Sequence, residues 1–488
     1  MTQIVAPEQL ILPFNRPEYF SVPEALVSAI AWRAYERTNS DVSVGRGTDD
    51  PTTATGKTIP TGYMYHAEPR IESSVNLKAT RPTGTTAAAL GSELKITGGW
   101  STAANDKLLG EAAAASVLGI RIEKTGNQPA SPMSPALALM QDPRGILVKS
   151  APPDFGDIIE AIYTVGHKDV PKASATEKWV QAADKRLEID PILAELDKAL
   201  MSGVLNGAYT RRKNFPIHSR AHQWVGLYPN TPFEWFAESW VALTTDEWVE
   251  ALPARVWVDW ASTLLRLGVG LGFLWEYSWY ETIGDAILSN EIPDTFSELV
   301  ESVKSPLPWQ SSHSATSVRD VGGIIKGRIS RGDKVRAFLR DHLQKRKDSS
   351  FKDDLDALGF LRQMTSHSND LRQILADKSE SAKLSYETVK YGLQTRKSSG
   401  PYTDYYGILK TKGTRYVVVE PGTEWIAVVA SLTCAGPGKQ CNVGSVLKNL
   451  SRMGMQPELN ELITLLESAG LARGSADADN AVIVESAF

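Results

Sequence analysis

The sequence has little of what marks the most easily recognised protein classes. It contains two cysteines in 488 residues, Cys434 and Cys441, without a second cysteine pair or a nearby histidine. This excludes a disulfide-rich secreted scaffold and disfavours a zinc site, so we expect two ordinary thiols in a reducing cytoplasm. The most membrane-like stretch, Leu267–Trp275, has nine uncharged residues, whereas a spanning helix needs about 20.

Targeting and catalytic signals are also missing. The first residues include no basic side chain before Arg16 and no long apolar core, which argues against a secretory signal. No GxSxG elbow, HExxH helix or CxxC pair occurs. We therefore predict a cytoplasmic protein for which the sequence indicates no cofactor, no metal ligand and no catalytic residue.

The length and composition indicate several helical domains. A chain of 488 residues with 42% hydrophobic and 22% charged residues is typical of a soluble globular protein of two to four domains. We predict an α+β, predominantly helical, multidomain chain with a C-terminal winged-helix domain. The predicted regions are a mixed α/β region at 1–205, a Trp-rich helical region at 206–320, a basic helical region at 321–400 and a winged-helix-like domain at 401–488.

Periodicity and propensity predict individual elements in the first region. Apolar residues at helical spacing predict helices over Pro23–Arg37 and Ala173–Leu200, the second interrupted before Pro191. Short apolar or β-branched runs at Leu94–Thr97 and Gly145–Val148 predict strands.

Tryptophan is concentrated in the second region. Nine of the 13 tryptophans lie between residues 224 and 309. Within 257–279, large apolar residues and a glycine recur every three or four residues, which places them on one helix face. The residues on this face are Trp257, Trp260, Leu264, Gly268, Leu271, Trp275 and Trp279. The pattern indicates either a bulky core helix or a partner-binding surface, since Trp is favoured at interaction hot spots. Its glycines indicate either close approach by a neighbouring helix or a break.

Charge changes sign after residue 320. Residues 321–400 hold 17 Lys/Arg against 10 Asp/Glu, and residues 201–320 hold 8 against 14. The densest cluster is 326–347, where apolar residues at helical spacing predict that the cations cover one side of a packed helix. Its basic residues are Lys326, Arg328, Arg331, Lys334, Arg336, Arg340, Lys345, Arg346 and Lys347. Clustered cations favour nucleic-acid binding, because neutralising phosphates releases counterions. The alternatives are a solvated face and docking against an acidic partner such as the 201–320 region.

The last 70 residues predict three short helices followed by a β-hairpin. Apolar residues recur at helical spacing from Trp425, from Val443 and, after Pro457, from Leu459. A polar tip then precedes the strand Ala481–Val484. This framework, Leu447…Gly454…Leu462…Leu466…Gly470-Leu471, resembles that of winged-helix domains over about one-seventh of the chain.

The resemblance implies DNA reading only if cations lie on the third helix or the wing. That helix instead carries Glu458, Glu461 and Glu467 without Lys or Arg. We therefore predict that the domain contacts proteins, with Lys448 and Arg452 as secondary DNA-contact candidates. The whole chain also resembles accessory subunits of multi-gene bacterial phage-defence systems, which often join a poorly characterised body to a terminal winged helix.

Three functions follow as hypotheses. The first is a non-enzymatic subunit of a prokaryotic DNA-associated complex, of the antiphage type, which binds DNA or RNA through the basic cluster. It would bind other protein subunits through Trp257, Trp260, Trp275, Trp279 and the winged helix. The second is a metal-dependent nuclease whose carboxylates meet only in the fold. The third is a winged-helix transcription regulator.

Overall fold

The computed structural model describes most of the chain. The described residues are 4–17, 20, 22–37, 85–96, 102–120, 130–140, 154–205, 209–303, 307, 309, 320–348, 355–377, 379, 381–395, 404–412, 416–473 and 482–488. The predicted strand Gly145–Val148 lies outside these residues, as does most of the predicted polar tip before the last strand.

The protein is predominantly helical, as the sequence predicted, with small antiparallel sheets. The helices are α1 (Glu24–Ala34), α2 (Thr85–Ile96), α3 (Asp106–Ser116), α4 (Pro135–Leu139), α5 (Phe155–Val165), α6 (Ala175–Ile189), α7 (Pro191–Ala199), α8 (Pro232–Leu243), α9 (Asp246–Ala251), α10 (Ala254–Ser289), α11 (Phe296–Glu301), α12 (Val321–Asp348), α13 (Ala357–Met364), α14 (Ser368–Ala376), α15 (Lys383–Leu393), α16 (Thr423–Thr433), α17 (Val443–Arg452) and α18 (Leu459–Ser468). The strands are β1 (Tyr35–Arg37), β2 (Tyr209–Arg211), β3 (Leu409–Lys412), β4 (Tyr416–Val419), β5 (Gln440–Asn442), β6 (Ala472–Arg473) and β7 (Ile483–Glu485).

The N-terminal region confirms one predicted helix pattern and corrects two other predictions. Helices α6 and α7 lie within the predicted span, and the break falls at Asp190, which caps α7 by accepting a hydrogen bond from the backbone N–H of Leu193 at 3.0 Å. The helix predicted to reach Arg37 ends at Ala34, because Tyr35–Arg37 pair antiparallel with β2, a contact distant in sequence. The strand predicted at Leu94–Thr97 is wrong, because Leu94 is a buried residue in the last turns of α2.

The centre of the fold is α10, an unbroken helix of 36 residues, about 54 Å long at 1.5 Å per residue. The predicted face is buried along its whole length, as a core helix requires. Its glycines are sites of close packing rather than of a break. A Cβ at Gly268 would lie 2.7 Å from the Phe236 ring, and one at Gly270 would lie 2.8 Å from Leu393. Helix α8 therefore approaches α10 at a distance that favours glycine at position 268, and α15 packs closely at Gly270.

Helix α12 crosses α10 at a second close contact. A Cβ at Gly332 of α12 would lie 2.4 Å from the backbone oxygen of Tyr277, and one at Gly284 of α10 would lie 2.7 Å from Val335. The buried side chains of α12 join the same contiguous apolar cluster as those of α10 and of the C-terminal helices. One core thus connects the Trp-rich, basic and C-terminal regions, and a smaller second cluster lies among α2, α3, α4 and α7.

The C-terminal unit, residues 423–488, follows the order α16–β5–α17–α18–β6–β7. Its helices lie where the sequence predicted them, and β7 lies close to the predicted last strand. Strand β7 is central in the sheet, which has the antiparallel order β5–β7–β6. Gly454 and Gly470, which follow α17 and α18, have φ of 78° and 74°, the left-handed conformation that suits glycine after a helix.

Among the helices described, none is long and apolar enough to cross a membrane.

Candidate functional site

The basic helix α12 has the amphipathic character that its sequence predicted. Val335, Phe338, Leu339 and Leu343 are buried. The opposite side is exposed at Lys326, Arg340, Lys345 and Lys347 and half-buried at Arg328, Arg331, Lys334, Arg336 and Arg346. All nine residues predicted to bind nucleic acid therefore lie on one helix. The first and second halves of this helix differ in their surroundings.

In the first half of α12, cations face the acidic side of α10. Arg331 lies 2.5 Å from Asp285 and 3.7 Å from Glu281, and Arg328 also lies 3.7 Å from Glu281. Burial lowers the pKa of Arg328, while the neighbouring Glu281 carboxylate opposes this effect. The sequence also allowed docking against the acidic 201–320 region as an alternative to nucleic-acid binding. Arg328 and Arg331 adopt this alternative arrangement. Phosphate would have to compete with the carboxylates of the chain itself, so Arg328 and Arg331 are poor contact candidates.

The second half of α12 presents its charge to solvent. Arg340 and Lys347 are exposed, and no ion pair to either is found in the described part of the chain. Lys345 is 68% exposed and pairs with Asp341 within the helix at 2.6 Å. Lys334 is engaged, since its ammonium donates to the backbone oxygen of Asp377. The cations best placed to meet a ligand are therefore Arg340, Lys345 and Lys347.

One of these cations, Lys345, lines a cleft of about 1050 Å³ between α12, α13 and α14, which we call the α12 cleft. Its apolar lining includes Phe338, Phe360 and Met364, and its polar lining includes Lys345 and Arg346. Four aspartates, Asp333, Asp341, Asp370 and Asp377, share this lining. The cleft is thus part apolar and part charged, with cations and carboxylates together, a combination that the linear sequence did not reveal because its walls come from separate helices.

Two imidazoles line the α12 cleft. The rings of His342 and His367 lie 4.8 Å apart between centroids, and His342 also packs on Phe338 at 4.3 Å. His342 Nδ1 lies 3.0 Å from the Phe338 carbonyl oxygen. Because a carbonyl can only accept, this nitrogen carries the proton. Sequence reasoning missed this pair, since the two histidines are 25 residues apart and share no motif.

The four predicted partner-binding tryptophans lie in the core. Trp257, Trp260, Trp275 and Trp279 are 7%, 2%, 5% and 0% exposed. Trp275 and Trp279 stack on one another at 5.9 Å, and the Trp279 indole donates to the backbone oxygen of Leu10 at 2.9 Å. The Trp257 indole donates to the Leu243 oxygen at 3.0 Å. These side chains bind other parts of the same chain, which corrects the expectation of an exposed Trp surface. A buried core helix and an exposed partner-binding helix show the same spacing of three to four residues. The sequence pattern therefore could not distinguish the two.

The two secondary DNA-contact candidates on α17, Arg452 and Lys448, differ in exposure. Arg452 is buried and pairs with two carboxylates of α8, Glu238 at 2.7 Å and Glu234 at 3.3 Å. Lys448 is exposed. Helix α17 is thereby fixed against the body of the protein, while α18 presents exposed Glu458 and Glu467 to solvent. The outward helix of the C-terminal unit is acidic, as expected from its sequence.

A second polar site lies at the start of α10, where a cavity of about 210 Å³ is lined by Arg255, Asp259, Arg266, Asp404 and Tyr406. Arg255 pairs with buried Glu24 at 3.1 Å and with Asp259 at 3.3 Å. Burial raises the pKa of Asp259 to about 6, against the opposing effect of Arg255. Every carboxylate here already has an arginine partner. In the described ranges, no group of three or more His, Cys, Asp or Glu is arranged to hold a metal ion.

The chain matches no protein-family model, and no curated protein is significantly similar to it in sequence.

Proposed function

We propose that this protein is a non-enzymatic subunit of a prokaryotic complex that acts on nucleic acid, of the kind found in antiphage defence. It holds the phosphate backbone on the second half of α12 and binds another protein through its C-terminal unit. The observation that carries the proposal is the set of exposed cations on the second half of α12, Arg340, Lys345 and Lys347, of which Lys345 lines the α12 cleft.

The spacing of these cations suits a phosphate chain. Arg340 and Lys347 are two helical turns apart on α12, about 10 Å at 1.5 Å per residue. They can therefore contact different phosphates of one strand. Each contact releases condensed counterions, and this release drives binding without regard to base sequence.

The α12 cleft favours a single strand over a duplex as the ligand. Proteins that bind single strands combine cations along the backbone with rings on which bases stack, and histidine is one such ring. His342 and His367 line the cleft together with Lys345 and Arg346, and these cations offset part of the negative charge of the four lining aspartates. A duplex keeps its bases stacked inside and gains nothing from such rings.

We infer that the C-terminal unit is a winged-helix domain used for protein contact. The order helix–strand–helix–helix–strand–strand, with the last strand central in the sheet, is consistent with that fold. Helix α18 occupies the place of the DNA-reading helix, but its exposed Glu458 and Glu467 repel phosphate. The same carboxylates suit a basic protein surface.

Two variants test the two contacts separately. Tagged full-length protein would be recovered from its native host as wild type, as R340A/K345A/K347A and as E458K/E467K. We expect nucleic acid and partner proteins with the wild type, partners alone with the first variant, and nucleic acid alone with the second. Recovery of neither from the wild type would overturn the proposal. Cleavage of DNA or RNA by the pure protein with Mg²⁺ or Mn²⁺ would establish the nuclease instead.

A further inference from the structure

The two cysteines of the chain meet in the C-terminal unit. Cys434 is the C-cap residue that follows α16, and Cys441 is the middle residue of β5. Their sulfur atoms lie 2.9 Å apart. Two unbonded sulfurs at this separation are in direct contact, and little movement would bring them to the 2.03–2.05 Å of a disulfide.

The chain between the cysteines is shaped to bring them together. Ala435, Gly436 and Gly438 have φ of 60°, 155° and 68°. An L-residue such as Ala435 rarely adopts this conformation, so the turn is held by its surroundings. Two glycines supply the rest of the reversal without steric cost.

Strand β7 holds both ends of the pair. Cys441 lies opposite Val484 in the β5–β7 ladder. The sulfur of Cys434 lies 3.4 Å from the backbone oxygen of the same Val484. Because Val484 is itself fully buried, the two thiols are fixed against a common rigid residue.

The two thiols differ in environment. Cys434 is 3% exposed, whereas Cys441 is partly open to solvent. A hydrogen bond from the Cys434 thiol lowers the pKa of Cys441, and the same contact together with burial raises the pKa of Cys434. The accessible sulfur is therefore the better nucleophile, and the buried one stays protonated beside it.

We propose that Cys434 and Cys441 are a redox pair that a hydroperoxide converts into a reversible intramolecular disulfide. The Cys441 thiolate attacks the peroxide, forms an S–O bond and breaks the O–O bond, which leaves a sulfenic acid and, after protonation, water or an alcohol. The Cys434 sulfur then attacks the Cys441 sulfur, its proton leaves with the hydroxyl as water, and the S–S bond forms. Two thiols are oxidised and one peroxide is reduced. A small thiol such as glutathione reverses the step.

The proposal is independent of nucleic-acid binding. The disulfide would join the end of α16 to the edge strand β5, within the unit proposed to contact a partner and away from α12. Oxidation would thus lock the contact between α16 and β5 within that unit, while the cations of α12 stay as they are.

Trypsin offers a direct test, because Lys439 lies between the two cysteines. The folded full-length chain would be treated with hydrogen peroxide, alkylated and digested without reductant. We expect peptide 416–439 linked to peptide 440–448, in protein that runs as a monomer on a non-reducing gel, and loss of the link with dithiothreitol. In concentrated urea the link should form at least about tenfold more slowly, because the native frame no longer holds the sulfurs at reacting distance. Equal rates in the folded and unfolded protein, or two alkylated thiols after peroxide, would overturn the proposal.

Single substitutions test the assigned order of attack. In C434S, the sulfenic-acid reagent dimedone should label Cys441 after peroxide, since no second thiol removes the intermediate. In C441S, Cys434 should stay unlabelled because it is buried and protonated. Circular dichroism spectra equal to the wild type would show that both variants are folded. Labelling of Cys434 in C441S, or no labelling in C434S, would contradict the mechanism.

Discussion

Arg266 of α10 donates hydrogen bonds from Nη1 to both carboxylate oxygens of Asp404, at 2.7 and 2.8 Å, and both side chains are buried. Its Nε donates to the backbone oxygen of Gly392 at 2.6 Å, and its Nη2 donates to that of Gln394 at 2.7 Å. One side chain of the central helix thus fixes the end of α15 and the segment that leads into β3. A buried guanidinium with all three nitrogens hydrogen-bonded is a polar connection between the body and the residues before the C-terminal unit.

Removal of this arginine should be costly. R266M leaves the Asp404 carboxylate buried without its partner, and breaking a buried pair in this way costs about 3–5 kcal/mol. We expect the urea midpoint to fall accordingly in equilibrium unfolding. The double variant R266M/D404L removes both charges and should recover part of the loss. A single variant as stable as the wild type would show that the pair contributes little.

Two glycines of α12 should respond in opposite directions to alanine. A Cβ at Gly332 meets the Tyr277 backbone oxygen at 2.4 Å, whereas a Cβ at Gly327 meets nothing within 4 Å. G332A should destabilise the fold by about 1–3 kcal/mol through overpacking at the α10–α12 crossing. G327A should stabilise it by up to about 1 kcal/mol through helix propensity. Chemical denaturation of both variants gives the comparison, and equal effects would argue against the close crossing.

Asp259 should make stability depend on pH. Its folded pKa of about 6 lies above the unfolded value, so between about pH 4 and pH 6 the native state holds a proton that the unfolded chain has lost. Stability contributed by this site is therefore present below about pH 4 and lost as pH rises through 6, by up to about 3 kcal/mol.

The isosteric variant D259N isolates this effect. It should be more stable than the wild type at pH 7, and the difference should vanish near pH 4. The control D294N changes a carboxylate whose side chain is 96% exposed. It should leave the stability unchanged both at pH 7 and near pH 4. An equal pH dependence of unfolding in D259N and wild type would show that Asp259 titrates normally.

The sequence predicted what depends on local pattern. The inward face of α12, from Val335 to Leu343, follows from helical periodicity alone, as do the helices of the C-terminal unit. Helical periodicity did not predict the end of α1, because Tyr35 leaves the helix to pair with Arg211 of a distant strand.

The candidate site was only half predictable for the same reason. The cations of α12 could be counted in the sequence, but Arg331 loses its availability to Asp285, which lies 46 residues earlier in the chain. The α12 cleft needs three helices to exist at all. Which charges stay free, and which rings lie beside them, is decided by packing between distant segments.

The most direct test of the account is the salt dependence of nucleic-acid affinity. Fluorescence anisotropy with a labelled single strand and a labelled duplex would compare the wild type with R340A/K345A/K347A and with the charge-matched control K172A/K213A/K439A. Arg336 and Arg346 are left intact because they are half-buried, and the three control lysines are exposed outside α12.

We expect tighter binding of the single strand, with a log–log slope of about −0.7 per phosphate contacted. The triple variant in α12 should flatten this slope by about 2 and weaken binding equally for all base sequences, because phosphate contacts carry no sequence information. The control should keep the wild-type slope. An unchanged slope and affinity in the folded α12 variant would contradict the central claim and leave this surface as a solvated helix face.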